Sequence, residues 1–175
     1  MVRRATHSVW VASLALLASC GGSKSNEPPP GVSAIPDSRA PVQFEYDSLD
    51  ERPVDSASTR GAPTVIAFVT TWDLMSQAEV DFLVKMAKND GERVHYLVVA
   101  LQEKPDRELV ELYLQKLDVQ FPGALADPAT IAGGGPFGDV HNVPTVVLLD
   151  ARGRLVWLHP GLARGNEIRA AMNGM

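Results

Sequence analysis

Along this chain the spacing of hydrophobic and polar positions changes several times, and each change marks an element. Residues 64–71 form a compact β-branched and aromatic run directly after Pro63, the pattern of a strand buried on both faces. Residues 95–101 repeat that pattern. Between them, over 74–88, Val80, Leu83, Val84, Met86 and Ala87 fall at helical spacing. A second helical period covers 106–117 through Leu109, Tyr113 and Leu117, with Pro105 placed to start it. Ahead of these, Val42-Gln43-Phe44-Glu45-Tyr46 alternates and predicts a short edge strand. Residues 145–150 and 155–159 read as a hairpin across Ala151-Arg152-Gly153-Arg154, with Gly153 at the left-handed position. Residues 166–172 predict a short closing helix. The order β-β-α-β-α-loop-β-β-α gives an α/β sandwich with a mixed central sheet flanked by helices.

The first forty residues follow another logic. Arg3 and Arg4 precede an apolar stretch over 9–18, too short to cross ~30 Å of hydrocarbon, which takes about 20 apolar residues. A charged start and a short apolar segment predict a signal peptide, outside the fold. The stretch ends Leu17-Ala18-Ser19-Cys20-Gly21, which resembles the lipobox of bacterial lipoproteins. That resemblance implies lipidation of the Cys20 thiol and cleavage just before it. It also implies, from Gly21 in place of aspartate, delivery to the outer membrane facing the periplasm. Several acyl chains hold a protein where one would not, at ~0.8 kcal/mol per buried CH₂. Over 21–41 Gly, Ser and Pro dominate, including three consecutive prolines, and no apolar period occurs; this predicts a flexible stalk. The expected organisation is a signal peptide over 1–19, lipidated Cys20 and stalk over 20–41, and one folded domain over 42–175.

Composition narrows the chemistry. The 175 residues carry a formal net charge of −5 and no Lys/Arg run, which argues against nucleic acid as a partner. A single cysteine excludes a disulfide framework and a redox dithiol within these residues.

Two stretches carry a family resemblance. The first is Val65-Ile66-Ala67-Phe68-Val69-Thr70-Thr71-Trp72-Asp73-Leu74-Met75-Ser76-Gln77-Ala78-Glu79. The second is Phe137-Gly138-Asp139-Val140-His141-Asn142-Val143-Pro144-Thr145-Val146-Val147-Leu148-Leu149-Asp150-Ala151-Arg152-Gly153. Together with the element order they resemble the TlpA-type membrane-anchored thioredoxin-like proteins, which are periplasmic thiol–disulfide reductases. The segment from Gln120-Phe121-Pro122 to Asp127 resembles that family's inserted region. The resemblance implies a thioredoxin-like three-layer sandwich and a cis bond at Val143-Pro144. It places the family's two redox cysteines at Asp73 and Ser76, where sulfur is absent. Thiol–disulfide exchange needs a thiolate to attack and a second thiol to release the mixed disulfide. A carboxylate and a hydroxyl do neither, so no catalytic residue is assigned. The expectation is a non-catalytic peptide- or protein-binding or scaffolding module in the cell envelope. The alternative is a relative that assists thiol–disulfide or cytochrome and metal-centre maturation pathways without its own dithiol.

The vacated site has two readings. Ser76-Gln77-Ala78-Glu79 has the form of a capping box, with Met75 and Val80 as a hydrophobic staple, and Asp73 is also an acceptable N-cap. In the other reading Asp73 or Ser76 binds a ligand. Trp72 is either core or, as the resemblance implies, partly exposed beside the site. Pro144 is either a strand-start proline or the cis-proline beside which an extended peptide pairs by main-chain hydrogen bonds. On the second reading Trp72, Met75, Val143 and Pro144 line a groove for a partner segment. Met75, His141 and His159 are candidate soft or borderline metal ligands, but there is no His-x-x-His or Cys cluster, so no metal and no cofactor is expected. Gly133-Gly134-Gly135-Pro136 reads as a loop insertion or as a mobile lip over the groove.

Overall fold

The structure, a computed structural model, describes residues 40–175; the expected signal peptide, Cys20 and nearly all of the stalk lie outside the described residues. The strands are β1 (Glu45–Ser48), β2 (Val54–Asp55), β3 (Thr64–Val69), β4 (His95–Ala100), β5 (Gly123–Leu125), β6 (Thr145–Leu149) and β7 (Leu155–Pro160). The helices are α1 (Leu74–Asp90), α2 (Arg107–Lys116), α3 (Pro128–Ile131) and α4 (Gly165–Asn173). They build a seven-stranded sheet in the order β2-β1-β5-β4-β3-β6-β7. β3, β4 and β5 are parallel, while β6 and β7 continue antiparallel.

β3 shows why the central strands are apolar at every position. Val65, Ala67 and Val69 face a core built with Val80, Leu83 and Val84 of α1, Val110 and Leu114 of α2, and Ile168 of α4. Ile66 and Phe68 face the opposite core. Both faces are covered, so no position along the strand meets water. The second core is largely aromatic: the Phe137 ring centroid lies 5.4 Å from Phe44 and 5.5 Å from Phe68. Its cover is irregular chain plus the single turn of α3, whereas three longer helices cover the first face.

Two sequence expectations are corrected. The alternating segment forms a strand from Glu45, not from Val42, and it is not the edge: two-residue β2 pairs outside it. Phe44 and Tyr46 do alternate inward. β5 and α3 were not foreseen as elements; each spans only a few residues, too short to show a period.

The hairpin has the expected turn. Gly153 sits at φ +77°, and a Cβ there would lie 2.9 Å from the Arg60 guanidinium. The Asp150 carboxylate accepts hydrogen bonds from the Arg152 and Arg154 N–H groups at 2.9 Å each. The described chain joins the fold here: Pro41 bridges to Arg154, and the Val42 N–H donates to the Gly153 carbonyl at 2.8 Å. This is the end of the sheet where β3 and β4 begin. The opposite end, where β3 runs into α1, carries the candidate site. Among the described residues no helix is long and apolar enough to cross a membrane.

Candidate functional site

The site begins where β3 runs out of partners. Thr70 to Asp73 turn the chain into α1, and Asp73 is its N-cap in extended conformation. Asp73 Oδ2 accepts from the Ser76 N–H at 2.7 Å and from the Ser76 Oγ–H at 2.8 Å. Ser76 is fully buried, and its Oγ accepts from the Thr70 N–H at 3.3 Å. Desolvation opposes ionisation of Asp73, but the bonds from Ser76 and the Met75 N–H outweigh it and hold the carboxyl below its usual range. Asp73 and Ser76, the positions to which the resemblance assigns a dithiol, are therefore joined to each other and to the helix start.

The expected capping box is not formed. With Asp73 as cap, Ser76 is the third helical residue, and Glu79 lies one turn too far to reach back. Glu79 points into the core instead, with no solvent exposure. Its Oε2 accepts from the Ala163 N–H at 2.6 Å, and its Oε1 has no partner. Burial pushes its pKa up to about 7, against the Ala163 N–H and with the nearby Glu167 carboxylate. The staple goes with the box: Met75 is 48% exposed while Val80 faces the core.

Trp72 is not core; it is 69% exposed. Across from it the Val143-Pro144 bond is cis, and Thr145 pairs with Phe68, which sets Pro144 beside the end of β3. Trp72, Met75, Val143 and Pro144 thus come to the same end of the sheet. Pro144 is itself buried, with its carbonyl accepting from the Gly161 N–H at 2.7 Å. The Val143 N–H donates to the His141 carbonyl at 2.8 Å.

The candidate metal ligands do not converge. Both ring nitrogens of His141 face oxygen, Nε2 toward the Ile131 carbonyl at 2.6 Å and Nδ1 toward Asp139 Oδ1 at 2.7 Å. Those contacts, the carbonyl foremost, raise its pKa and favour the imidazolium, which has no lone pair for a metal. His159 stacks on Trp157 with centroids 5.2 Å apart. No group of three or more His, Cys, Asp or Glu is arranged for a metal among the described residues.

His141 also explains part of the glycine loop. Gly133 has φ +80°, and a Cβ there would sit 2.8 Å from the imidazole; a Cβ on Gly135 would meet Thr130 Oγ1 at 2.3 Å. The loop is glycine-rich because its backbone passes against α3 and His141 at contact distance. Sequence reasoning missed this clasp, and it missed Gln102. That buried side chain accepts from the Thr71 N–H at 3.0 Å and fixes the turn before Trp72. A glutamine immediately after an apolar strand was the available signal.

No family model matches the sequence, and no curated protein matches it. Solved structures do. A DsbF homologue from Corynebacterium diphtheriae superposes with a TM-score of 0.71 at 16% identity, over 85% of this chain and 97% of that one. A secreted Mycobacterium tuberculosis disulfide oxidoreductase, homologous to E. coli DsbE, gives 0.61 at 21% identity, over 76% and 96%. The pneumococcal exposed lipoprotein thioredoxin of Streptococcus pneumoniae gives 0.63 at 19% identity, over 76% and 99%. The mixed sheet with helices on its faces, read with these likenesses, makes the described chain a thioredoxin-like fold.

Proposed function

We propose that this protein is a lipid-anchored, thioredoxin-fold binding module of the cell envelope that has exchanged dithiol chemistry for partner recognition. The observation that carries the reading is the Asp73–Ser76 unit. Where a thiolate and its resolving partner would stand, a carboxylate and a hydroxyl bond to each other and to the start of α1, leaving no nucleophilic sulfur. Beside that unit, Trp72 and Met75 remain exposed. A large aromatic ring left in water next to a cis-proline turn is a surface suited to holding an extended segment.

The anchor is Cys20, and the compartment follows from it. Two of the similar structures are described as a secreted oxidoreductase and an exposed lipoprotein, which supports a place outside the cytoplasm. Two experiments test the reading. Insulin reduction by the purified chain should stay at background. A photoreactive residue at position 75 should crosslink to a partner, and adding Trp72→Ala should reduce that yield several-fold; unchanged yield removes the groove. A second role, holding substrates for a separate thiol–disulfide enzyme, is favoured by the disulfide oxidoreductase among the similar structures. It predicts that the crosslinked partner carries cysteines.

A further inference from the structure

Two sizeable cavities open away from the groove proposed above. One, of about 590 Å³, lies beside the C-terminal end of α1, and its cations are matched on the spot, Lys88 by Asp118 and Arg52 by Asp50. It selects no sign of charge. The other, of about 780 Å³, lies between the turn after β4 and α3. That volume is in the range of about 300–1,000 Å³ typical of small-molecule sites. Leu125 and Ala126, both buried, form its floor, with Pro105 on one side and Pro128, Ile131 and Ala132 on the other.

Both sides are held from within. α3 is capped by Asp127, and its Thr130 hydroxyl lies 3.3 Å from the buried Tyr46 hydroxyl of β1. Across the cavity the Asp106 N–H donates to the Glu103 carbonyl at 3.0 Å, and Gln102 Nε2 donates to Asp106 Oδ2 at 3.4 Å. A cavity with fixed walls costs little ordering when it is filled.

The charge around this cavity is one-sided. Asp47, Glu103 and Asp127 line it against a single cation, Lys104. Asp47 is already matched, by Lys104 at 3.6 Å and by Arg107 at 3.3 Å. Glu103 and Asp127 are not, since neither forms an ion pair with any described residue. Asp127 Oδ1 accepts from the Thr130 N–H at 2.6 Å, and that bond leaves the carboxylate its charge. Two uncompensated carboxylates lining an apolar cavity favour a cation that brings an apolar body with it.

We propose that this cavity is a binding site for a small organic cation, an aliphatic or aromatic body carrying a primary amine. The body lies on Leu125, Ala126 and Ile131, and the ammonium group faces Glu103 and Asp127. The site is independent of the groove and of any partner held there.

The test titrates the nitrogen-15-labelled full chain with phenylbutylamine at neutral pH, followed by amide chemical shifts, with phenylbutanol, phenylbutanoate and butylamine as comparisons. Saturable shifts confined to residues 101–106 and 123–133 are expected with phenylbutylamine. Each comparison compound lacks either the cation or the ring and should bind at least about tenfold more weakly. Glu103→Gln together with Asp127→Asn should weaken the amine by about tenfold. Glu103 is exposed, and asparagine keeps an acceptor for the Thr130 N–H, so this variant retains the fold, as circular dichroism will verify. Trp72→Ala should leave the affinity within about twofold, since the two sites share no residue. No saturable binding, shifts centred elsewhere, equal binding of any comparison compound, an affinity unmoved by the double variant, or an equal loss with Trp72→Ala overturns the proposal.

Discussion

Asp73 and Ser76, where the family resemblance places two cysteines, are each fully employed. The carboxylate takes both the N–H and the O–H of Ser76, and the serine oxygen takes the Thr70 N–H. Asp73→Ala should therefore lower stability by about 1 kcal/mol, the ordinary cost of losing an N-cap. Urea denaturation measures it, and an unchanged midpoint would show that the cap contributes nothing. Glu79 gives a second prediction. Its folded pKa, about 7, lies above its unfolded value of 4.5. Below 4.5 both states hold the proton; from there to about 7 only the folded state keeps it. Stability contributed by this group thus falls as pH rises across that interval. At 1.36 kcal/mol per unit the loss is bounded at about 3 kcal/mol. Glu79→Gln keeps an acceptor for Ala163 and removes the proton, so its stability should change less between pH 5 and pH 8 than the parent's. An identical pH profile for both would contradict the burial of this carboxyl. Cap residues were legible because Asp and Ser at a strand-to-helix turn have few other uses. Which of them was the cap was not, since both satisfy the local pattern and only the turn fixed by Gln102 decides.

Among elements, the segment from α3 to the cis-proline departs most from regular structure. It is held by one charged clasp, His141 between the Ile131 carbonyl and Asp139. The carbonyl and the carboxylate both favour the cation, so the His141 pKa lies above 6.5 in the folded protein. Its contribution is complete below 6.5 and is lost as pH rises through the raised value. Ring-proton NMR should find that midpoint, and Asp139→Asn should bring it down; a parent midpoint at or below the ordinary value refutes the clasp. Sequence periodicity located β3, β4, β6, β7, α1, α2 and α4 because each buries a face long enough to repeat. β5 is three residues and α3 four, and their positions are set by pairing with β4 and by the Asp127 cap rather than by any run of their own.

On the scale of the molecule, the described residues hold nineteen Asp and Glu against twelve Lys and Arg. Such a surplus raises encounter rates with cationic partners and is screened by salt. The overall topology was readable from element order, since strands alternating with helices and ending in a hairpin permit few arrangements. The cavity between the turn after β4 and α3 was not, because Glu103 and Asp127 stand far apart in the sequence and only the packed chain brings them to one cavity.

Pro41 and Arg154 meet at one end of the sheet, and Trp72 lies past the other, a six-residue strand of roughly 20 Å away. The chain thus enters the described fold at the end of the sheet opposite the exposed Trp72.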